Sequence, residues 1–232
     1  VFMALALRGG VNKFVLSDIN EDLINLWLCI QNDWEEVFEH YAVLWKELNK
    51  NDNVGRKKEY FYYVRERYNK DRNPLDFMFI DRTTTNGLIR YNSSGEFNNS
   101  FHVTRNGIMP SNLEKVLVFW DKVLSDNDVT FICMDYKDVS GEFLYLDPPY
   151  AGTKGMYYGG LDLDEFWGWL RLQNSYVLSF DGISGRDNNV YDVPEDLYDE
   201  HILLDSGNSS FKRLFGKNDG AHVRESLYFF NI

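Results

Sequence analysis

Residues 144 to 150, Leu-Tyr-Leu-Asp-Pro-Pro-Tyr, hold the densest chemistry in the chain. Phe143 to Leu146 reads as a buried strand, and it stops at an acid, two prolines and an aromatic, none of which continues a central sheet. Asp147, Pro148, Pro149 and Tyr150 are therefore expected at the carboxyl end of that strand. In an open α/β sheet this edge is where ligands bind. Hydrogen bonds from an exocyclic amine to the Asp147 carboxylate and the Pro148 carbonyl would draw the nitrogen out of conjugation towards tetrahedral geometry and aim its lone pair at an electrophile. Tyr150 supplies a π-face on which a planar ring can stack. The competing reading of these four residues is a proline-terminated strand followed by a surface tyrosine.

Two further places carry candidate chemistry. Lys13 to Asp18 reads as a strand ending in an acid, followed by Leu23, Leu26, Trp27 and Ile30 at helical spacing with Asn20 as N-cap. A carboxylate at such a strand-to-helix turn can grip the ribose hydroxyls of a nucleoside cofactor, which makes Asp18 a candidate, with an ordinary strand-end acid as the alternative. Residues 81 to 98 combine Thr83, Thr84 and Thr85 with the turn signals Asn86-Gly87 and Ser94-Gly95, and Arg82, Arg90 and Arg105 stand in or beside them. Arg and Asn make bidentate contacts with guanine and adenine edges, so this polar hairpin is a candidate for base reading, against the alternative of a solvated loop.

The elements that must position these residues alternate in type. Helices are expected over Trp34 to Leu48, Tyr60 to Tyr68, Leu75 to Ile80, Leu113 to Leu124 and Asp164 to Gln173, and strands over Val129 to Cys133, Tyr176 to Phe180 and Glu225 to Phe230. Asp181-Gly182 reads as the end of its strand, residues 186 to 193 as a polar connection and 197 to 204 as a mostly apolar stretch. A mainly parallel sheet follows, with the last strands as the exception. Residues 50 to 125 show no strong strand pattern and read as a helical insertion with its own task. The Gly- and Tyr-rich run 151 to 160 suits a loop that closes over a substrate.

The 232 residues make one large domain or a domain with an insertion. No apolar run approaches the roughly 20 residues of a membrane span, and no membrane partner is expected. Cys29 and Cys133 lie in apolar segments and read as core thiols of a reducing cytoplasm. The formal charge of −12 opposes a nucleic-acid partner, but the basic residues cluster. Arg56, Lys57, Lys58, Arg65, Arg67, Lys70 and Arg72 form one group, in which the start suits phosphates, and Lys212, Arg213, Lys217 and Arg224 form another. The opening run Val1 to Leu7 carries no charged leader and reads as the tail of a helix.

Together the blocks Val15 to Asn20, Arg65 to Lys70, Asn86 to Asn92 with Gly95 to Asn98, and Asp147 to Tyr150 resemble, in order and spacing, the Dam-type (D12 class) DNA adenine-N6 methyltransferases, including phage and restriction-associated members. The resemblance implies an α/β fold: a Rossmann-like S-adenosylmethionine-dependent methyltransferase sheet with helices on both faces and a helical target-recognition insertion. Residues 1–49 and 126–232 would form the catalytic domain and 50–125 the DNA-recognition insertion. It implies methyl transfer from S-adenosylmethionine to the N6 amine of a flipped adenine in double-stranded DNA, without a metal because the sulfonium already activates the methyl. Asp147 to Tyr150 would be catalytic. Asp18 would hold the cofactor ribose, beside Ile19, Tyr136 would pack on the cofactor adenine, with Asp138 next to it, and Asp147 would border the same site. The hairpin would enter the major groove with Asn86, Leu88, Arg90 and Asn92, and Ser100, Arg105 and Lys212 would complete the DNA contacts, with Ser206 to Phe211 as the late block near the flipped base.

The departures are Thr85 where an aromatic is frequent and Ser100-Phe101-His102 in place of Pro-Phe-Gly. The family's glycine-rich Phe-x-Gly-x-Gly loop and its Lys-bearing segment would precede Val1, so the chain is either part of a longer enzyme or has an incomplete cofactor site. A monomer or weak dimer on DNA, a bacterial or infected-cell cytoplasm and a cognate restriction endonuclease are the implied context. The alternatives are a catalytically degenerate DNA-binding homologue and an RNA or protein amine methyltransferase, whose motif usually opens with Asn.

Overall fold

The computed structural model describes residues 1–149, 161–184, 187–208 and 222–232. They divide into two compact units, Val1–Val139 and Ser140–Ile232. In the first, Lys13–Asp18 (β1) pairs in parallel with Asp128–Cys133 (β2), in register from Lys13↔Asp128 to Asp18↔Cys133. Parallel neighbours need a crossover, and here residues 19 to 127 supply it, all as helix and irregular chain. Phe2–Arg8 (α1) precedes β1, and the crossover contains Glu21–Asn32 (α2), Trp34–Leu48 (α3), Val54–Asp71 (α4), Pro74–Thr83 (α5) and Pro110–Ser125 (α6).

Side-chain caps set most of these helix starts. Asn20 Oδ1 accepts from Leu23 N at 3.2 Å, Asp33 Oδ1 from Glu36 N at 2.9 Å, Asn53 Oδ1 from Arg56 N at 3.1 Å and Asn73 Oδ1 from Leu75 N at 2.9 Å. The Asn53 cap explains why α4 begins six residues before the expected Tyr60. Its first turns carry Arg56, Lys57, Lys58 and Glu59, which show no apolar period, so only the cap marks them. The core beneath is aromatic: Tyr41, Phe61, Tyr68, Phe77, Phe79 and Phe97 are fully buried, and Phe14, Val129 and Phe131 close it from one face of the β1–β2 pair.

In the second unit Leu144–Leu146 (β3) pairs in parallel with Tyr176–Ser184 (β4), and Leu163–Leu170 (α7) lies between them in sequence. His222–Phe230 (β7) runs antiparallel to β4, and Glu200–Asn208 (β6) runs antiparallel to β7, giving the order β3-β4-β7-β6 with Asp187–Asn188 (β5) paired to the end of β4. Parallel pairing with exceptions in the last strands is thus observed, but the described residues form two sheets, of two and five strands.

Three expectations are corrected. Asp181-Gly182 does not end β4; the strand continues to Ser184 through a register shift between Phe180 and Ile183. Gly182 permits this because a Cβ there would lie 2.0 Å from the Arg224 carbonyl oxygen, where only a bare backbone fits. The connection after residue 186 contains β5. Cys133, the last residue of β2, is exposed, so of the two thiols only Cys29 is partly covered. Among the described residues no helix is long and apolar enough to cross a membrane.

Candidate functional site

The carboxyl ends of β1 and β2 lie side by side, since Asp18 pairs with Cys133 and the Asp18 carbonyl accepts from Met134 N at 3.1 Å. Asp18 and Ile19 are exposed there, an acid next to an apolar side chain. The Asp18 carboxylate is oriented by Asn20 N, which donates to Oδ1 at 2.7 Å. Beyond β2, Asp135 Oδ1 accepts from Lys137 N at 3.0 Å and winds residues 136 to 138 into a single tight turn. Tyr136 is half-buried in this turn and Asp138 exposed. The first unit therefore places Asp18, Ile19, Tyr136 and Asp138 just beyond the carboxyl ends of β1 and β2.

In the second unit Asp147, Pro148 and Pro149 follow directly on the carboxyl end of β3, with Asp147 exposed and both prolines half-buried. Burial pushes the neighbouring Tyr145 hydroxyl up, a hydrogen bond with Ser179 works against this, and the Asp147 charge adds to the rise. Tyr150, the run 151 to 160, Lys212 and residues 209 to 211 of the late block lie outside the described residues.

Residues 83 to 102 form an arm that folds back on itself without a regular ladder. Isolated bridges join Thr84 to Phe101 and Tyr91 to Phe97, and Asn98 N donates to the Arg90 carbonyl at 2.9 Å. One face of α4 holds this arm. Arg65 Nη1 donates to the Asn99 carbonyl at 3.1 Å, and the Asn69 amide pairs both ways with the Phe97 backbone, at 2.8 and 3.1 Å. Arg72 Nη2 donates to the Gly95 carbonyl. Inside the arm Asn99 Nδ2 donates to the carbonyls of Thr85 and Leu88 at 2.9 and 2.8 Å, and the Ser100 hydroxyl meets that of Thr85 at 3.0 Å.

This division sorts the candidate readers. Arg90 and Arg105 are exposed, and Asn86 and Leu88 are half-buried. Asn92 differs from expectation: its Oδ1 accepts from Ser94 N and Glu96 N at 3.0 and 2.9 Å, and its Nδ2 donates to Glu96 at 2.9 Å, so the amide builds the turn at the arm's end. Ser100 likewise serves the arm's own closure. Lys57, expected on a phosphate-binding surface, is buried, with Nζ 3.0 Å from Asn106 Oδ1. Arg67 and Arg72 are engaged by Asp76 and Asp22. Much of the first basic cluster is thus internal scaffolding, leaving Arg56, Lys58 and Lys70 exposed.

At the root of the arm a hollow of about 380 Å³ is lined by Arg82, Asn86, Gly87, Arg105, Gly107 and Ile108. Gly107 has φ of 76°, and a Cβ on it would lie 2.6 Å from the Tyr41 hydroxyl oxygen. Tyr41 uses that hydroxyl to donate to the Ile108 carbonyl at 2.9 Å. Gly107→Ala should therefore destabilise the chain by about 1–3 kcal/mol, read as a lower urea midpoint with an unchanged slope.

A family model described as D12 class N6 adenine-specific DNA methyltransferase matches residues 1–168. The chain belongs to that family. Membership of the D12 class accounts for the order of the blocks along the sequence, from Asp18 through the arm to Asp147. Among similar proteins, a Type II methyltransferase, M.MjaIII, of Methanocaldococcus jannaschii is 34% identical over 164 residues, covering 65% of this chain and 54% of the relative. A DNA adenine methylase of Serratia marcescens is 33% identical over 155 residues, covering 62% and 53%. The Type II methyltransferase M.FokI of Planomicrobium okeanokoites is 30% identical over 183 residues, covering 75% of this chain and 27% of its own. The chain spans about half the length of the first two relatives and about a quarter of the third.

Sequence reasoning missed Asp22, Asn69, Arg72, Tyr91 and Asn99 as the residues that seat the arm of this D12-class chain. The block Arg65 to Lys70 was visible as a match, but its role was not, because its partners lie 28 to 34 residues away.

Proposed function

We propose that this chain carries the acceptor site and the target-recognition arm of an enzyme that methylates the N6 amine of adenine at a short specific sequence in duplex DNA, with S-adenosylmethionine as donor. The observation that carries this is Asp147-Pro148-Pro149 at the carboxyl end of a parallel strand in a D12-class chain. On this reading the Asp147 carboxylate and the Pro148 carbonyl accept the two amine hydrogens and turn the nitrogen lone pair outward. Asp147 gains most as positive charge develops on nitrogen, and the surplus amine proton leaves on its side. Tyr150 stacks on the flipped base.

The donor site fits the edge formed by β1 and β2. An exposed carboxylate suits ribose hydroxyls, and Ile19 and Tyr136 offer apolar and aromatic surface for an adenine, with Asp138 beside them. When bound, S-adenosylmethionine supplies a methyl on a sulfonium leaving group. We assign residues 50–125 to recognition and 1–49 with 126–232 to a Rossmann-like catalytic domain. Arg90 and Arg105, with Asn86 and Leu88, face the DNA, while Asn92 and Ser100 act by shaping the arm, and Lys212 remains a candidate phosphate contact. The enzyme would work in a cytoplasm as a monomer or weak dimer on its site, alone or beside an endonuclease for the same sequence.

The test is incubation of the full-length protein with radiolabelled S-adenosylmethionine and plasmid DNA, followed by methylation-sensitive sequencing. N6-methyladenine confined to one short sequence supports the reading; label on cytosine, on RNA or on protein alone rejects it. A second measurement separates base reading from charge attraction. Arg90→Ala should cost roughly 1–3 kcal/mol on the cognate duplex and little on random DNA, whereas Arg56→Ala with Lys58→Ala should weaken both in parallel and flatten the salt dependence. A parallel loss for Arg90→Ala in competition binding at several salt concentrations removes it from the readers.

A further inference from the structure

We propose that Asp22, Arg72 and Tyr91 are positioning residues that couple the grip on the methyl donor at Asp18 to the seat of the recognition arm, so that each ligand tightens the other. The identity of the two ligands rests on the function proposed above. The coupling itself rests on geometry within residues 1–139.

Asp22 is the second residue of α2, four positions after Asp18. Between them Asn20 is held from both sides, its N–H on the Asp18 carboxylate at 2.7 Å and its side-chain oxygen on Leu23 N at 3.2 Å. The two carboxylates therefore hang from one capped turn. The Asp22 side chain is 14% exposed and accepts from the Tyr91 hydroxyl at 2.5 Å and from Arg72 Nη1 at 3.2 Å. Both partners belong to the arm's seat: Arg72 also donates to the Gly95 carbonyl, and Tyr91 bridges Phe97. Burial raises the Tyr91 hydroxyl far out of its ordinary range and the bond to Asp22 adds to this, so it stays a donor.

Arg72 shows that this contact is imposed on the backbone. It ends α4 with φ of 52° and ψ of 34°, a left-handed conformation that glycine normally takes at a helix end. The other non-glycine residues with positive φ among the described residues are Asn86 and Asn231, a type that tolerates it. An arginine held there supplies what glycine lacks, a guanidinium that reaches Asp22 and Gly95 together.

The two ligand-facing residues flank this triad. Arg90 is exposed and adjacent to Tyr91, which points inward, as alternation in extended chain requires. DNA held by Arg90 restrains Tyr91 and, through Asp22, the first turn of α2. A ribose on Asp18 restrains the same turn from the other end. Whichever ligand binds first removes freedom that the second need not remove again, and linkage makes the effect reciprocal.

The test uses the full-length protein, S-adenosylhomocysteine as an unreactive probe of the donor site, and a fluorescent duplex containing the methylated sequence. In the parent, saturating S-adenosylhomocysteine should tighten duplex binding by about 5- to 20-fold, and duplex should tighten S-adenosylhomocysteine by the same factor. Tyr91→Phe keeps the ring against Phe97 and removes only the hydroxyl. It should bring the mutual factor below about 2 while changing the affinity for each ligand alone by less than about threefold. Arg72→Lys, which keeps the charge and loses one of the two donors, should retain part of the coupling. If Tyr91→Phe keeps the full factor, or weakens both ligands without changing it, the triad is only structural and the proposal fails. A parent that binds both ligands with no mutual effect overturns the coupling alone. A parent that binds neither overturns the methyl-transfer reading and the coupling with it.

Discussion

Asp147→Ala should lower the single-turnover rate of methyl transfer by about 10²–10³-fold or more while duplex affinity changes by less than about threefold. Asp147 is exposed at the carboxyl end of β3 and carries no part of the buried core, so its removal should leave the fold intact. What is lost is an acceptor whose value rises as the amine becomes cationic, and such a loss appears in turnover rather than in ground-state binding. Rapid-quench measurement with enzyme in excess over duplex is the check. Equal rates for parent and variant would remove Asp147 from the reaction, and a parallel loss of duplex affinity would make it a binding residue instead.

Asp76→Ala should destabilise the first unit by about 3–5 kcal/mol. The Asp76 carboxylate is 1% exposed and joins three helices. It accepts from Arg67 Nε and Nη2 at 2.6 and 2.5 Å, and His40 Nε2 lies 2.7 Å from Oδ1. Burial alone would raise its pKa, but the hydrogen bonds from His40 and Arg67 outweigh burial and hold it below the usual carboxylate range. The sign follows from the lowered value. Stability from Asp76 is fully present above the unfolded-state pKa of about 4, and it is lost as pH falls through the lower folded-state value. The difference in urea stability between parent and Asp76→Ala should therefore be constant from neutral pH down to about 5 and shrink below about 4. A difference that does not shrink in acid would mean that the loss comes from packing around the site rather than from the charge.

What was legible in the sequence was local. Asn20 announces α2 because the cap stands directly before an apolar period. The placement of Asp147 to Pro149 could be read because prolines end a strand whatever surrounds it. Two of the misreadings share one cause, a partner distant in the chain, and the third has a local one. Lys57 looked like surface because its neighbours are Arg56 and Lys58, yet it is buried by Asn106, 49 residues away. Asp181-Gly182 looked like the end of its strand, and becomes a bulge because the backbone at Arg224 approaches it. Asn92 had the right type for reading adenine, but its amide satisfies its own turn first. A short polar side chain with backbone N–H groups two and four residues ahead binds these more readily than anything outside.

The manner in which α4 carries the arm has an evolutionary consequence. Arg65, Asn69 and Arg72 hold it by the backbone carbonyls or amides of Asn99, Phe97 and Gly95, and none of these bonds depends on the side chain of the held residue. Residues 86 to 90 at the other end are gripped chiefly through the Leu88 and Arg90 carbonyls. Side chains at 88 and 90 can therefore be exchanged without disturbing the mounting, whereas Asn86 sits at φ 61°, which asparagine and glycine tolerate best. On the recognition role proposed for the arm, a lineage under pressure to protect or escape a different DNA sequence could drift through new specificities by point substitution at these positions, with folding stability held nearly constant throughout. Swapping only those positions between D12-class relatives is the corresponding engineering route to altered target choice.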